Sequence, residues 1–181
     1  MQIAVEPSRM LWNYYGQKRP PFAAEVLAGQ ESVWDYPRPP KLVPDTRHIS
    51  VVFDGLRVAD SDSAWRLLET ASAPGVYLPS RHVDMELLQP SAQRTFCEWK
   101  GEAVYFDLSS PRGVLRNVAW SYPNPSRAFA NIAGCISFYP GRIECYIEDE
   151  RVRPQPGGFY GGWITSDIAG PVKGGPGTGS W

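Results

Sequence analysis

Apolar and polar positions alternate through the middle of the chain in short runs, each broken after a few residues by Gly, Pro or Asp. A period of two puts alternate side chains on one face of a strand, so this pattern predicts β-structure. Residues 48–53 alternate and are β-branched, Asp54-Gly55 supplies a two-residue turn, and residues 56–60 return, which together predict a hairpin. Residues 63–70 suit a strand through Trp65 and Leu67, although Ser61-Asp62-Ser63 also resembles a helix cap. A strand at 75–78 ends at Pro79, followed by one helical turn at 80–83 and a strand at 84–88. Further strands are predicted at 95–99, 103–108 and 114–122, with turns at Lys100-Gly101 and Pro111-Arg112-Gly113. Residues 126–133 suit a short helix with Ser126 as N-cap and Gly134 as its stop. Residues 135–139 and 142–147, joined by Pro140-Gly141, read as a last hairpin. Short strands separated by turns predict a mainly β fold of two sheets or an open barrel.

The flanks differ from this body. Residues 1–46 hold seven prolines, which favour extended chain, with one short amphipathic helix predicted at 21–28. Trp12, Tyr14, Tyr15, Trp34 and Tyr36 in that arm argue that it wraps the domain or a neighbouring subunit. Residues 152–181 carry nine glycines, yet Phe159, Tyr160, Trp163 and Trp181 argue against a free linker, and at least 155–165 is expected to pack on the body. The organisation is therefore an arm at 1–46, a body at 47–151 and a tail at 152–181. Arm and tail also suit docking on a second copy, giving a homodimer.

A net charge of −1 offers no electrostatic attraction for nucleic acid or an acidic membrane. There is no apolar run of about 18 residues to span a bilayer. The opening Met1-Gln2-Ile3-Ala4-Val5-Glu6-Pro7 lacks the features of a secretory signal. Three cysteines, Cys97, Cys135 and Cys145, read as reduced thiols of a cytoplasmic protein.

Candidate chemistry is sparse. Cys97 precedes Lys100 by three residues, and a nearby cation favours a reactive thiolate; the plainer alternative is a small buried residue. Lys100 is either a surface charge beside a buried Trp99 or the anchor for an anion in a pocket where Trp99 or Trp120 stacks on a ring. Trp120, Tyr122 and Tyr139 end their strands, where pockets open, although core closure explains each of them equally simply. Asp60-Ser61-Asp62 has the spacing of paired metal carboxylates but reads as a turn. No Cys-x-x-Cys occurs; Cys₃His with His48 or His82 is the remaining arithmetic for zinc, and no metal site is expected. In the tail, Lys173-Gly174-Gly175 has the reverse order of a phosphate loop.

Val76-Tyr77-Leu78-Pro79 with Asp84-Met85, then Cys97-Glu98-Trp99-Lys100-Gly101, Trp120-Ser121-Tyr122-Pro123 and Phe138-Tyr139-Pro140-Gly141-Arg142 occur in that order. Over roughly residues 48–149 the chain resembles the bacterial family called domain of unknown function 427, also labelled nucleotidyltransferase-like. The resemblance implies a small antiparallel β-tent (Mss4-like) domain with short helices. It leaves activity open, since a fold does not fix a function. The reading favoured is a small-molecule binding module. Its pocket lies at the open end of the β-tent and draws on Tyr77, Cys97, Trp99, Lys100, Trp120, Tyr122, Tyr139 and Arg142, with Lys100 and Arg142 as polar anchors. One alternative is a nucleotidyltransferase-like enzyme holding a divalent metal on Asp60, Asp62 or Asp84; the other is a homodimeric assembly protein.

Overall fold

The computed structural model describes residues 12–181; the first eleven, including the stretch read above as lacking a secretory signal, lie outside that range. Three open antiparallel sheets carry the body, and none closes into a barrel. One has the order β12 (Glu150–Arg151), β11 (Glu144–Ile147), β3 (Ile49–Phe53), β4 (Leu56–Ser61). A second is β2 (Lys41–Asp45), β5 (Ala64–Leu68), β6 (Gly75–Tyr77). The third is β10 (Ile136–Phe138), β9 (Gly113–Ser121), β8 (Gly101–Ser110), β7 (Leu88–Cys97). Two small pairs sit at the flanks: β1 (Glu31–Ser32) runs parallel to β15 (Ile168–Ala169), and β13 (Arg153–Pro154) is antiparallel to β14 (Trp163–Ile164). The mainly β, antiparallel expectation is met.

The β3–β4 hairpin forms as its turn residues dictate. Asp54 and Gly55 take φ of 47° and 76°, the double positive-φ geometry that suits the twist of the strands. Backbone exchange between Leu78 and Ile136 joins the second sheet to the third. Their common filling includes Ile49, Val51, Val58, Leu78, Val118, Phe138 and, from the tail, Trp163.

Four local expectations change. Residues 84–88 form a turn of 3₁₀ helix, Met85–Leu87, because the Asp84 carboxylate accepts the Glu86 N–H; the strand starts only at Leu88. No helix forms at 21–28. There the Ala24 N–H donates to the Gly170 carbonyl of the tail, not back along its own segment. Residues 135–139 and 142–147 do not pair with each other: β10 joins β9 and β11 joins β3, so Pro140-Gly141 is a crossing between sheets. Finally, the helix after Ser126 is 3₁₀ and broken at Phe129, and the Ser126 hydroxyl donates to the Trp99 carbonyl and accepts from no helix N–H.

Arm and tail hold each other against the body. Asn13 bonds Ser180 through backbone and side chain at 2.8 and 2.9 Å. Phe22 stacks on Trp181 at 4.9 Å, and Trp34 meets Trp181 edge-on at 5.3 Å. The buried Arg38 guanidinium donates to the carbonyls of Tyr14, Thr70 and Trp181 and pairs with Glu69. The aromatics of the arm thus wrap their own chain. No helix among the described residues is long and apolar enough to cross a membrane.

Candidate functional site

The β7–β8 connection is the three-residue turn Glu98-Trp99-Lys100, closed by Gly101 at φ 102°, a backbone region that favours glycine. Ser126 fixes this turn from the side: its hydroxyl donates to the Trp99 carbonyl at 2.7 Å and its N–H to the Lys100 carbonyl at 3.1 Å. The turn folds the Lys100 side chain inward, to 6% exposure, while Trp99 is half-buried. Lys100 Nζ donates to Cys97 Sγ at 3.1 Å and lies 5.3 Å from the Tyr122 ring centre.

Cross-strand register assembles the aromatic wall. Tyr105 on β8 faces Trp120 on β9, and two residues on, Tyr122 follows on the same side. Trp120 packs on Tyr139 at 4.4 Å and meets Tyr77 edge-on at 6.3 Å, while Tyr77 and Tyr122 lie 6.3 Å apart. These groups surround a cavity of about 440 Å³. Its roof comes from the flanks: Trp12 of the arm, and Gln155, residues 159–162 and Lys173 of the tail. Gly161 lies so close that a Cβ there would stand 2.1 Å from the Trp120 ring, so only glycine lets the tail rest on that face. Gln155 pins the roof by accepting from the Ala73 N–H and donating to the Lys173 carbonyl.

Electrostatics divide the two lysines. Burial is the largest single influence on Lys100 and acts to lower it, but Tyr77, Cys97 and Glu69 together turn the net direction upward, which favours the ammonium. Lys173 is held below the usual lysine range, chiefly by burial, with Glu69 opposing and the Arg38 charge adding. It sits 3.6 Å from Glu69, between the rings of Trp12 and Tyr160. Burial also raises the phenols of Tyr77, Tyr122 and Tyr139, which keeps them protonated O–H donors.

Of the eight residues singled out from the sequence, Tyr77, Cys97, Trp99, Lys100, Trp120, Tyr122 and Tyr139 line this one cavity. Arg142 does not. It is exposed, stacks outside on the Tyr139 ring at 4.6 Å and donates to the Asn117 carbonyl at 2.6 Å, beside a separate groove at residues 140–144. Sequence reasoning missed Tyr105, Glu69, Gln155, Trp12 and Lys173. Tyr105 carried a usable signal, its period-two place on a strand expected to pair with that of Trp120. For Lys173, in a glycine-rich tail with no element to orient it, there was no comparable signal.

The remaining candidates lie elsewhere. Asp60 is on β4, not in the expected turn, and pairs with His48 at 2.9 Å and with Arg57. Asp84 caps a 3₁₀ turn, and none of Asp60, Asp62 and Asp84 reaches the Lys100 cavity. Ser61 Oγ donates to the Ser63 carbonyl and therefore accepts from His82 Nδ1 at 2.6 Å, the wrong direction for a histidine base. Cys145 is in the main core and Cys97 in the aromatic cluster, and no group of three metal-ligating side chains forms among the described residues.

Comparison with known families decides what these motifs belong to: the family model described as Domain of unknown function (DUF427), which carries a nucleotidyltransferase label, matches residues 41–149. The chain belongs to the DUF427 family. No curated protein matches the chain. The DUF427 span contains the cavity floor, from Leu67 through Tyr139, whereas the roof residues Trp12, Gln155, 159–162 and Lys173 lie outside it.

The thiols of this DUF427 chain should differ in reactivity. Burial raises Cys145 well above the usual thiol range and raises Cys135 as well, while Cys97 is half-exposed on the cavity. Iodoacetamide at pH 8 is expected to alkylate Cys97 roughly tenfold faster than Cys145, read by peptide mass spectrometry. Equal rates would show that the main core opens as readily as the cavity.

Proposed function

We propose that this chain is a small-molecule binding module whose ligand is a flat molecule lodged against Trp120 and Tyr122 in the composite cavity. One observation carries the reading: family-motif residues from Tyr77 to Tyr139, distant in sequence, converge on a single aromatic cavity of about 440 Å³. That volume is of ligand size. Rings at its walls supply broad stacking surface, and Lys100 with the tyrosine hydroxyls supplies the few polar groups that fix orientation.

The test is a thermal-shift screen of flat heteroaromatic and carbocyclic compounds against the whole chain. A compound at about 100 times its Kd adds roughly 2.7 kcal/mol, a shift of several degrees. Trp120→Ala should abolish the shift. Because Trp120 is part of the aromatic core, Gly161→Ala gives a second reading from the roof side: it pushes the tail off the ring without removing any wall residue. Shifts that survive both variants, or a screen with none, would sink the proposal.

A further inference from the structure

We infer that the ligand is a planar molecule carrying a single carboxylate, received by Lys100, Tyr77 and Tyr122. This rests on the binding reading above and adds the chemical class. Lys100 is buried, yet no carboxylate among the described residues pairs with it; its partners are a thiol and the face of a ring. A buried ammonium is costly without a counter-charge. Glu69, which also lines the cavity, is already engaged by Arg38 at 3.2 Å and Lys173 at 3.6 Å. Lys173 therefore shares a carboxylate with Arg38 and also lies over the aromatic faces of Trp12 and Tyr160. Glu98 also lines the cavity and acts on Lys173, whereas Lys100 makes no ion pair with a carboxylate among the described residues and lines the cavity itself.

The hydrogen-bond inventory points the same way. Burial keeps Tyr77 and Tyr122 as neutral O–H donors, and because the Trp120 indole can only donate to the Tyr77 oxygen, the Tyr77 O–H is left to donate elsewhere. On the Lys173 side of the roof, Trp12 Nε1 is buried without a partner. Lys100 with the two phenols thus offers a set of donors, the complement of a carboxylate, which only accepts. A single unmatched cation suits one negative charge better than the dianion of a phosphate monoester.

Matched probes test the inference on the full chain. Benzoate, naphthoate, indole-3-acetate and quinoline-2-carboxylate are each titrated calorimetrically beside their amides, their amines and, for the phenyl ring, phenyl phosphate. At least one acid is expected to bind, with its amide weaker by roughly tenfold or more and its amine weaker still. Lys100→Met should erase the preference for acid over amide while leaving amide affinity within about threefold, and Lys100→Arg should restore part of it. Amides or amines binding wild-type protein as well as the acids would overturn the anion inference but leave the binding module standing. Phenyl phosphate binding more tightly than benzoate would overturn the single charge. Silence from every probe, whatever its charge, would count against the binding reading itself. Should Lys100→Met fail to fold, the acid–amide comparison on wild type decides alone.

Discussion

Replacing Arg38 with methionine is expected to release arm and tail together and to destabilise the protein by about 3–5 kcal/mol. The guanidinium is fully buried and donates to three carbonyls drawn from three parts of the chain: Tyr14 in the arm, Thr70 after β5 and Trp181 at the end of the tail. Methionine fills much of the space but leaves those carbonyls and the Glu69 carboxylate short of their donor. Each such group then carries its own desolvation cost. Trp12 also loses the cation over its ring, at 4.3 Å, and with it part of its hold on the roof. Limited proteolysis checks the result: new cuts should appear in arm and tail at the same protease concentration. Cuts in one flank only would mean that the two are held independently.

Trp163→Ala is expected to cost about 3–5 kcal/mol by cavity formation, a fall of roughly 10 °C in Tm by calorimetry. The side chain is 1% exposed and sits in the main core among residues of the family-matched span. Its indole N–H donates to the Phe138 carbonyl at 3.0 Å, and its backbone N–H to the Pro74 carbonyl at 2.8 Å. Truncation therefore leaves a void and strips the Phe138 carbonyl of its donor. Trp163→Phe keeps most of the volume and loses only the hydrogen bond, so a loss of about 1–2 kcal/mol separates the two contributions. If both variants melt like wild type, the tail does not hold the core.

What the sequence made legible followed local rules. Asp54-Gly55 announced its hairpin because two positive-φ positions are chemically marked. The β8 and β9 strands were visible in their alternation. The first part of β7 was not, because that edge strand is largely exposed and its Gln, Ser and Arg carry no apolar stripe. Pro140-Gly141 looked like a hairpin turn, since turn residues specify a change of direction and not which partner the next strand takes. At the site, the Trp-Lys-Gly step left Lys100 as either a surface charge or an anion anchor, and its inward turn comes with contacts from Ser126, distant in sequence. Arg142, which follows the Pro140-Gly141 step, is held outward by the Asn117 carbonyl, a tertiary contact no local pattern encodes. Lys173 and Trp12 reach the cavity only through the docking of both flanks, whose contacts lie more than a hundred residues apart in sequence.

The floor of the cavity falls within the family-matched span and the roof outside it, so the proposed site is built from two separate stretches of sequence. Substitution in the flanks would re-cut the outline of the cavity while the Lys100 turn and its Ser126 brace stay as they are, much as a lock is rekeyed inside an unchanged case.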